Sequence, residues 1–163
     1  SQVRQSVLSG KSPAEVLDAL NSFVCENFSE AGLFLTFLAV RIDLTSGEIT
    51  WSGAGHPSPI LVRGDGTRMG LASQNLMIGV QLQCLASEPE HRVRLEPGDR
   101  VLIYTDGATG VFDSTGSELG ECGLADLVAN AVSDDLFGMT DRILEGIRAF
   151  QHGPATDPSV GPP

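Results

Sequence analysis

Apolar residues recur at helical spacing along the first part of the chain and then give way to strand texture. Val3, Val7 and Leu8 read as the end of a first helix. Ser12-Pro13-Ala14-Glu15 carries the chemistry of a second helix start, with Ser12 as cap, Pro13 suited to the first helical position and Glu15 closing a capping box. Val16, Leu17, Leu20, Phe23 and Val24 follow on one face, which predicts a helix over 12–27 with a buried stripe. The stretch 33–44 is rich in aromatic and branched residues and lacks polar alternation in its first half, so it predicts a central strand buried on both faces there. Thr45-Ser46-Gly47-Glu48 turns the chain back, and 49–52 predicts the antiparallel partner.

A third strand is predicted over 59–63, reversed at Gly64-Asp65-Gly66, and a fourth apolar segment over 76–80. Residues 93–95 and 100–104 predict a further hairpin, closed by Glu96-Pro97-Gly98-Asp99. Helical periodicity returns over 123–131 and 136–150, where Met139, Ile143, Leu144, Ile147 and Phe150 share a face. The stretch 153–163 holds too much Pro and Gly for a helix or a central strand, which predicts a disordered tail after a body of 1–152. Helices flanking a run of strands predict an α+β layered fold.

Composition narrows the function classes. At 163 residues the chain is the size of one domain, and 41% hydrophobic against 19% charged residues excludes general disorder. A formal charge of -11 argues against nucleic acid and anionic membrane surfaces as partners. Cys25, Cys84 and Cys122 stand far apart with no C-x-x-C pair, so neither a zinc site nor a disulfide framework is suggested. With no apolar run of about 20 residues and no signal-peptide core at the start, the expected address is the cytoplasm. An opening inside the end of a helix reads as a cut from a longer protein.

Two places offer chemistry. In Arg100-Val101-Leu102-Ile103-Tyr104-Thr105-Asp106-Gly107 a strand delivers a carboxylate into a glycine turn. Asp106 there is either a ligand for a hard cation such as Mg²⁺ or Mn²⁺, which prefer oxygen donors, or a group that hydrogen-bonds its own turn. Ser52-Gly53-Ala54-Gly55-His56-Pro57 is a loop of small residues with one imidazole. Its glycines leave room for close packing or for a phosphate met by backbone amides, and His56 is either functional or a satisfied structural donor. No G-x-S-x-G elbow is present, which sets covalent serine hydrolysis aside.

The ordered set of Ser12-Pro13-Ala14-Glu15-Val16-Leu17 with Leu20-Asn21, Gly53-Ala54-Gly55-His56-Pro57, Gly79-Val80, and Leu95-Glu96-Pro97-Gly98-Asp99 leading into Tyr104-Thr105-Asp106-Gly107-Ala108-Thr109 resembles the SpoIIE-type branch of the PPM (metal-dependent) serine/threonine protein phosphatases, over about 12–150. The resemblance implies an antiparallel β-sandwich flanked by helices, two Mn²⁺ or Mg²⁺ ions at one edge, and a bridging water that attacks phosphoserine or phosphothreonine directly. It assigns Asp106 as the metal aspartate at the strand end with Gly107 beside it, and Asp157 as a candidate further metal ligand; Gly55, His56 and Gly107 are the substrate-side candidates. The implied substrate is a phosphorylated STAS-type anti-anti-sigma protein in a pathway governing a sigma factor, with sensor or kinase domains as possible attachments in a parent protein.

Three departures accompany the resemblance. Nothing before Ser12 supplies the Asp-Gly pair whose aspartate bridges both metals in the family; Gly110 stands where many members carry Glu; and Asp157-Pro158 replaces an Asp-Asp pair. The phosphatase-type fold is therefore expected to be incomplete, and this segment alone is expected to have little activity, because each divalent ion needs several fixed oxygens to offset its dehydration. The alternative from another class is a catalytically inactive pseudophosphatase or binding module that recognises a STAS or kinase partner. An unrelated α+β domain sharing turn chemistry is the third reading.

Overall fold

In a computed structural model, which describes residues 2–72, 75–82, 90–131 and 135–153, the helix start at Ser12 is built as its sequence dictates. The Ser12 hydroxyl accepts from the Glu15 backbone N–H at 3.3 Å, and the Glu15 carboxylate accepts from the Ser12 N–H at 2.7 Å. This capping box opens α2 (Pro13–Phe28), and α1 (Gln2–Leu8) precedes it and lies against it. The buried face of α2 carries Val16, Leu17 and Val24 as the apolar spacing predicts, together with the polar Asn21.

The chain divides into two compact units, one of Ser1–Pro59 with Gly70–Asp99 and one of Ile60–Met69 with Arg100–Pro163. In the first, β1 (Phe37–Asp43) and β2 (Glu48–Ala54) pair antiparallel, and β5 (His91–Arg94) pairs with the other edge of β2. The intervening turn is held by the Asp43 carboxylate, which accepts from the Thr45 and Ser46 N–H groups at 2.8 and 3.2 Å. Leu17, Val24, Ala54 and Ile78 form the core, with Leu20, Leu35, Phe37 and Ala39 packed on it.

The second unit holds β3 (Ile60–Val62), β4 (Arg68–Gly70, whose last residue falls in the first unit) and β6 (Arg100–Leu102), in the order β4-β3-β6. Two helices follow, α3 (Gly120–Asn130) and α4 (Leu136–His152). Ile60, Val62, Tyr104, Leu124, Val128, Met139 and Ile143 make its core. Asp135 caps α4 by accepting from the Phe137 and Gly138 N–H groups, and Arg142 of α4 donates to the Ala131 carbonyl at the end of α3, so helix ends on both sides of that junction find partners. The combination of helices with two small antiparallel sheets among the described residues bears out the α+β reading.

Four details differ from the sequence reading. The stretch expected to be a central strand is β1, an edge of its sheet, half-buried over 37–40 and exposed beyond; the centre is β2, whose residues after Glu48 are all buried. An apolar run reports what a strand's faces can meet, whereas the pairing of its edges leaves no mark in hydrophobicity. The hairpin expected around 96–99 does not form. The turn exists, with Asp99 N–H donating to the Glu96 carbonyl at 3.0 Å and Glu96 N–H to the Asp99 carboxylate at 2.9 Å, but β5 and β6 on either side of it belong to different sheets. Turn chemistry reverses the backbone without choosing the partner strand. The strand expected over 100–104 ends at Leu102, so Asp106 lies beyond the end of β6 and not directly on it; the apolar segment 76–80 is irregular, with Ile78 bridging Leu35 and Asn75 bridging Ala54. Cys84, and the predicted tail beyond Gly153, lie outside the described residues.

Candidate active site

Asp106 is positioned by what flanks it. Tyr104 is buried in the second unit's core and Ala108 packs against that core, so the residue midway between them is held at the surface on an anchored backbone. Burial, with the Glu121 charge as a lesser cause, pushes the Tyr104 hydroxyl above its ordinary pKa, which keeps it protonated near neutrality.

Asp106–Ala108 forms a single 3₁₀ turn. The Asp106 carbonyl accepts from the Thr109 N–H at 3.0 Å, the Gly110 N–H at 2.7 Å and the Thr109 hydroxyl at 3.2 Å. The carbonyl, not the carboxylate, ties this turn, and among the described residues no hydrogen bond reaches the carboxylate. The chain beyond is braced by Leu119 N–H to the Val111 carbonyl at 2.8 Å and Gly120 N–H to the Thr109 carbonyl at 3.0 Å. A side chain at Gly107 would make only ordinary contact, 3.7 Å from the Thr105 hydroxyl, so packing does not demand glycine there; glycine leaves the backbone beside the carboxylate uncovered. At Gly110 a Cβ would sit 3.2 Å from the Asp106 carbonyl, a tight fit for any larger residue in this turn.

Asp113, in the next loop, behaves oppositely. Its carboxylate accepts from the Thr115 hydroxyl at 2.7 Å and from the Thr115 and Ser117 N–H groups at 2.8 and 2.9 Å, and these bonds hold it below the usual carboxylate range.

Gly55 and His56 belong to the first unit. Gly55 adopts φ +61°, donates its N–H to the Asn75 carbonyl at 3.0 Å, and has no room for a Cβ, which would collide with Met77 Cγ. His56 is half-buried with Nδ1 2.9 Å from the Pro57 carbonyl. A carbonyl only accepts, so Nδ1 carries the hydrogen and Nε2 is the nitrogen left for other partners.

Two residues without a role in the sequence reading organise this region. Asn75, buried, donates through its amide to the Ser52 hydroxyl and the Gly53 carbonyl at 3.3 and 3.0 Å. Asn21, buried in α2, accepts from the Gly79 N–H at 2.9 Å and donates to the Gln81 carbonyl at 2.9 Å. Their partners lie far off in sequence, so no local pattern announces them; only the polar Asn21 on an apolar helix face was a signal.

Gly55 and His56 thus fall in one unit, Asp106 and Gly107 in the other, and Asp157 lies outside the described residues. Among the described residues no group of three His, Cys, Asp or Glu side chains is arranged to hold a metal ion. Asp106 fits as one hard oxygen ligand, and the described residues do not complete a set around it.

Over residues 1–158 the chain matches the family model of Stage II sporulation protein E (SpoIIE). It is 28% identical over 101 residues to Phosphoserine phosphatase RsbU of Bacillus subtilis, covering 61% of this chain and 29% of that protein. With Protein IcfG of Synechocystis it shares 23% identity over 95 residues, 58% of this chain and 15% of that protein. The chain therefore spans under a third of the length of these relatives. Among solved structures, the SiaA-PP2C domain of Pseudomonas aeruginosa matches with a TM-score of 0.77 at 18% identity, covering 92% of this chain and 59% of that one. The RsbU and RsbW domains of a Mycobacterium tuberculosis protein match at 0.73 and 24% identity, covering 94% and 42%. The phosphatase domain of SpoIIE from Bacillus subtilis matches at 0.59 and 18%, covering 95% and 66%. Identities this low speak to the fold, and the family model speaks to descent: the chain belongs to the SpoIIE family and has the fold of its PPM-type phosphatase domains.

Proposed function

We propose that this chain is the greater part of a protein phosphatase domain that hydrolyses phosphoserine or phosphothreonine on a protein, namely a phosphorylated STAS-type anti-anti-sigma factor, in the cytoplasm. Family membership supports the reaction class, and the RsbU relative is itself named a phosphoserine phosphatase. The observation that carries the reading is the Asp106 carboxylate, exposed in the 3₁₀ turn that follows β6 while its own carbonyl closes that turn.

A bound pair of Mn²⁺ or Mg²⁺ ions would supply an activated water and offset charge on the phosphoryl oxygens. Asp106 would hold such an ion from a backbone anchored by Tyr104 and Ala108, so little ordering is required when it binds. Gly107 keeps the approach open, Asp157 is the second candidate carboxylate, and Gly55 and His56 are the substrate-side candidates. Because the Gly55 N–H is already given to Asn75, the His56 Nε2 is the better donor toward a phosphoryl oxygen when the ring is protonated. The described residues hold no helix long and apolar enough to cross a membrane.

The test is phosphate release from a phosphoserine STAS protein in Mn²⁺ and in EDTA, using protein extended upstream to include a strand ending in Asp-Gly. Release should require Mn²⁺, and Asp106→Asn should lower it by at least the roughly 10- to 100-fold that even supporting residues around a metal cost when changed. The 163-residue chain alone should release little. Binding of the STAS protein that persists in EDTA without any phosphate release would identify a recognition module instead.

A further inference from the structure

The segment 75–82 lacks regular strand structure, yet it is fastened at several points within the first unit. Ile78 is fully buried and exchanges both backbone hydrogen bonds with Leu35, at 2.9 and 3.1 Å. Gly79 adopts φ +92° so close to the Leu33 carbonyl and Val24 that a Cβ would collide with that carbonyl. Its N–H points into α2, where the buried Asn21 amide accepts it and also donates to the Gln81 carbonyl. At the other end the segment touches the Gly53–His56 loop twice. Asn75 binds Gly53 through its side chain and Gly55 through its carbonyl, and Met77 fills the space a side chain on Gly55 would need.

Asn21 is therefore one end of a continuous set of contacts whose other end is the loop holding Gly55 and His56. Its position demands a group that accepts and donates at once from a buried helix face. A leucine would fill much of the same volume while leaving the Gly79 N–H and the Gln81 carbonyl without this partner. We propose that Asn21 is a positioning residue for the Gly55–His56 loop, acting through Gly79, Ile78 and Met77. Its consequence for catalysis rests on the phosphatase reading given above; its effect on the loop does not.

The experiment is amide and imidazole NMR on the 163-residue chain with Asn21→Leu, Asn21→Asp and, as control, Asn27→Ala, which removes an exposed amide bonded only to its own helix at Phe23. Asn21→Leu should displace the Gly79 amide peak and also the Gly55 amide and His56 ring peaks. Asn21→Asp keeps an acceptor for Gly79 but loses the donor to the Gln81 carbonyl and buries a carboxylate beside it, so it should displace Gly55 and His56 as Asn21→Leu does, whereas Asn27→Ala should leave them near their original positions. Displacement of Gly79 with Gly55 and His56 unmoved would overturn the proposal, and so would an Asn27→Ala variant as disruptive as the Leu one. If Asn21→Leu does not fold, Met77→Ala tests the last link, since Met77 is exposed and its truncation should move Gly55 and His56 without unfolding the chain. In the upstream-extended protein, Asn21→Leu should raise KM for the phosphoprotein about tenfold, the equivalent of one buried hydrogen bond, with a smaller change in kcat. A wild-type protein that releases no phosphate would sink the hydrolase reading while the NMR result still decides the role of Asn21.

Discussion

Asp43, Asp65, Asp106 and Asp113 all sit at turns, and what their carboxylates touch separates them. Those of Asp43 and Asp65 accept backbone N–H bonds from the residues that follow, and that of Asp113 accepts first from the Thr115 hydroxyl and then from such N–H groups, which lowers each from its ordinary value of 3.8. A depressed folded-state pKa contributes stability that is present above about pH 4 and is lost as pH falls through the folded values. Asp18 works the other way: burial first, and the Glu15 charge second, raise it, so its penalty is relieved on acidification. Stability measured by urea unfolding should therefore fall below about pH 4, and replacing Asp43, Asp65 and Asp113 together by Asn should flatten that fall. Asp106→Asn removes no such bond and should change unfolding stability at pH 7 by no more than about 0.5 kcal/mol. Gly79→Ala, by contrast, forces a Cβ against the Leu33 carbonyl at φ +92° and should destabilise by about 2 kcal/mol or more in the same assay. Asp106 was legible in the sequence because a carboxylate at the end of an apolar run is a local pattern. Asn21 and Asn75 were not, because their meaning comes from residues tens of positions away.

At the scale of elements, the features that were legible are those the chain settles locally. The α2 start is one: Ser12, Pro13 and Glu15 act within a single turn, and the capping box forms as written. Ser12→Ala should lower stability by about 1 kcal/mol, read as a reduced midpoint in thermal or urea unfolding, with Asn27→Ala at the other end of the helix costing less. The turn at 96–99 was equally legible as a turn, since Glu96 and Asp99 hydrogen-bond each other's backbone and side chain. What followed from it was not, because the partner of a strand is chosen by the whole sheet. β6 pairs with β3 and β5 with β2, and neither pairing is written in residues 93–104. The edge position of β1 was hidden for the same reason.

At the scale of the molecule, the α+β class, the succession of helices and strands, and the family were all readable from ordered short motifs, each weak by itself. The division into two compact units was not, since residues 60–69 leave the first unit and the chain returns to it before β6. Nor does a formal charge of -11 pick out a cation site, because exposed carboxylates such as Asp65 and Asp113 contribute to it while serving their own turns. The proposed cation site is narrower than charge: one carboxylate among many, that of residue 106, is proposed to bind a divalent ion. Line broadening of amide NMR signals during a Mn²⁺ titration of the 163-residue chain tests it most directly, because a paramagnetic ion reveals even weak occupancy by its neighbours. The prediction is early broadening of Gly107, Ala108 and Thr109 that Asp106→Asn abolishes without disturbing the rest of the spectrum. Broadening that begins elsewhere, or that survives the substitution unchanged, would contradict it.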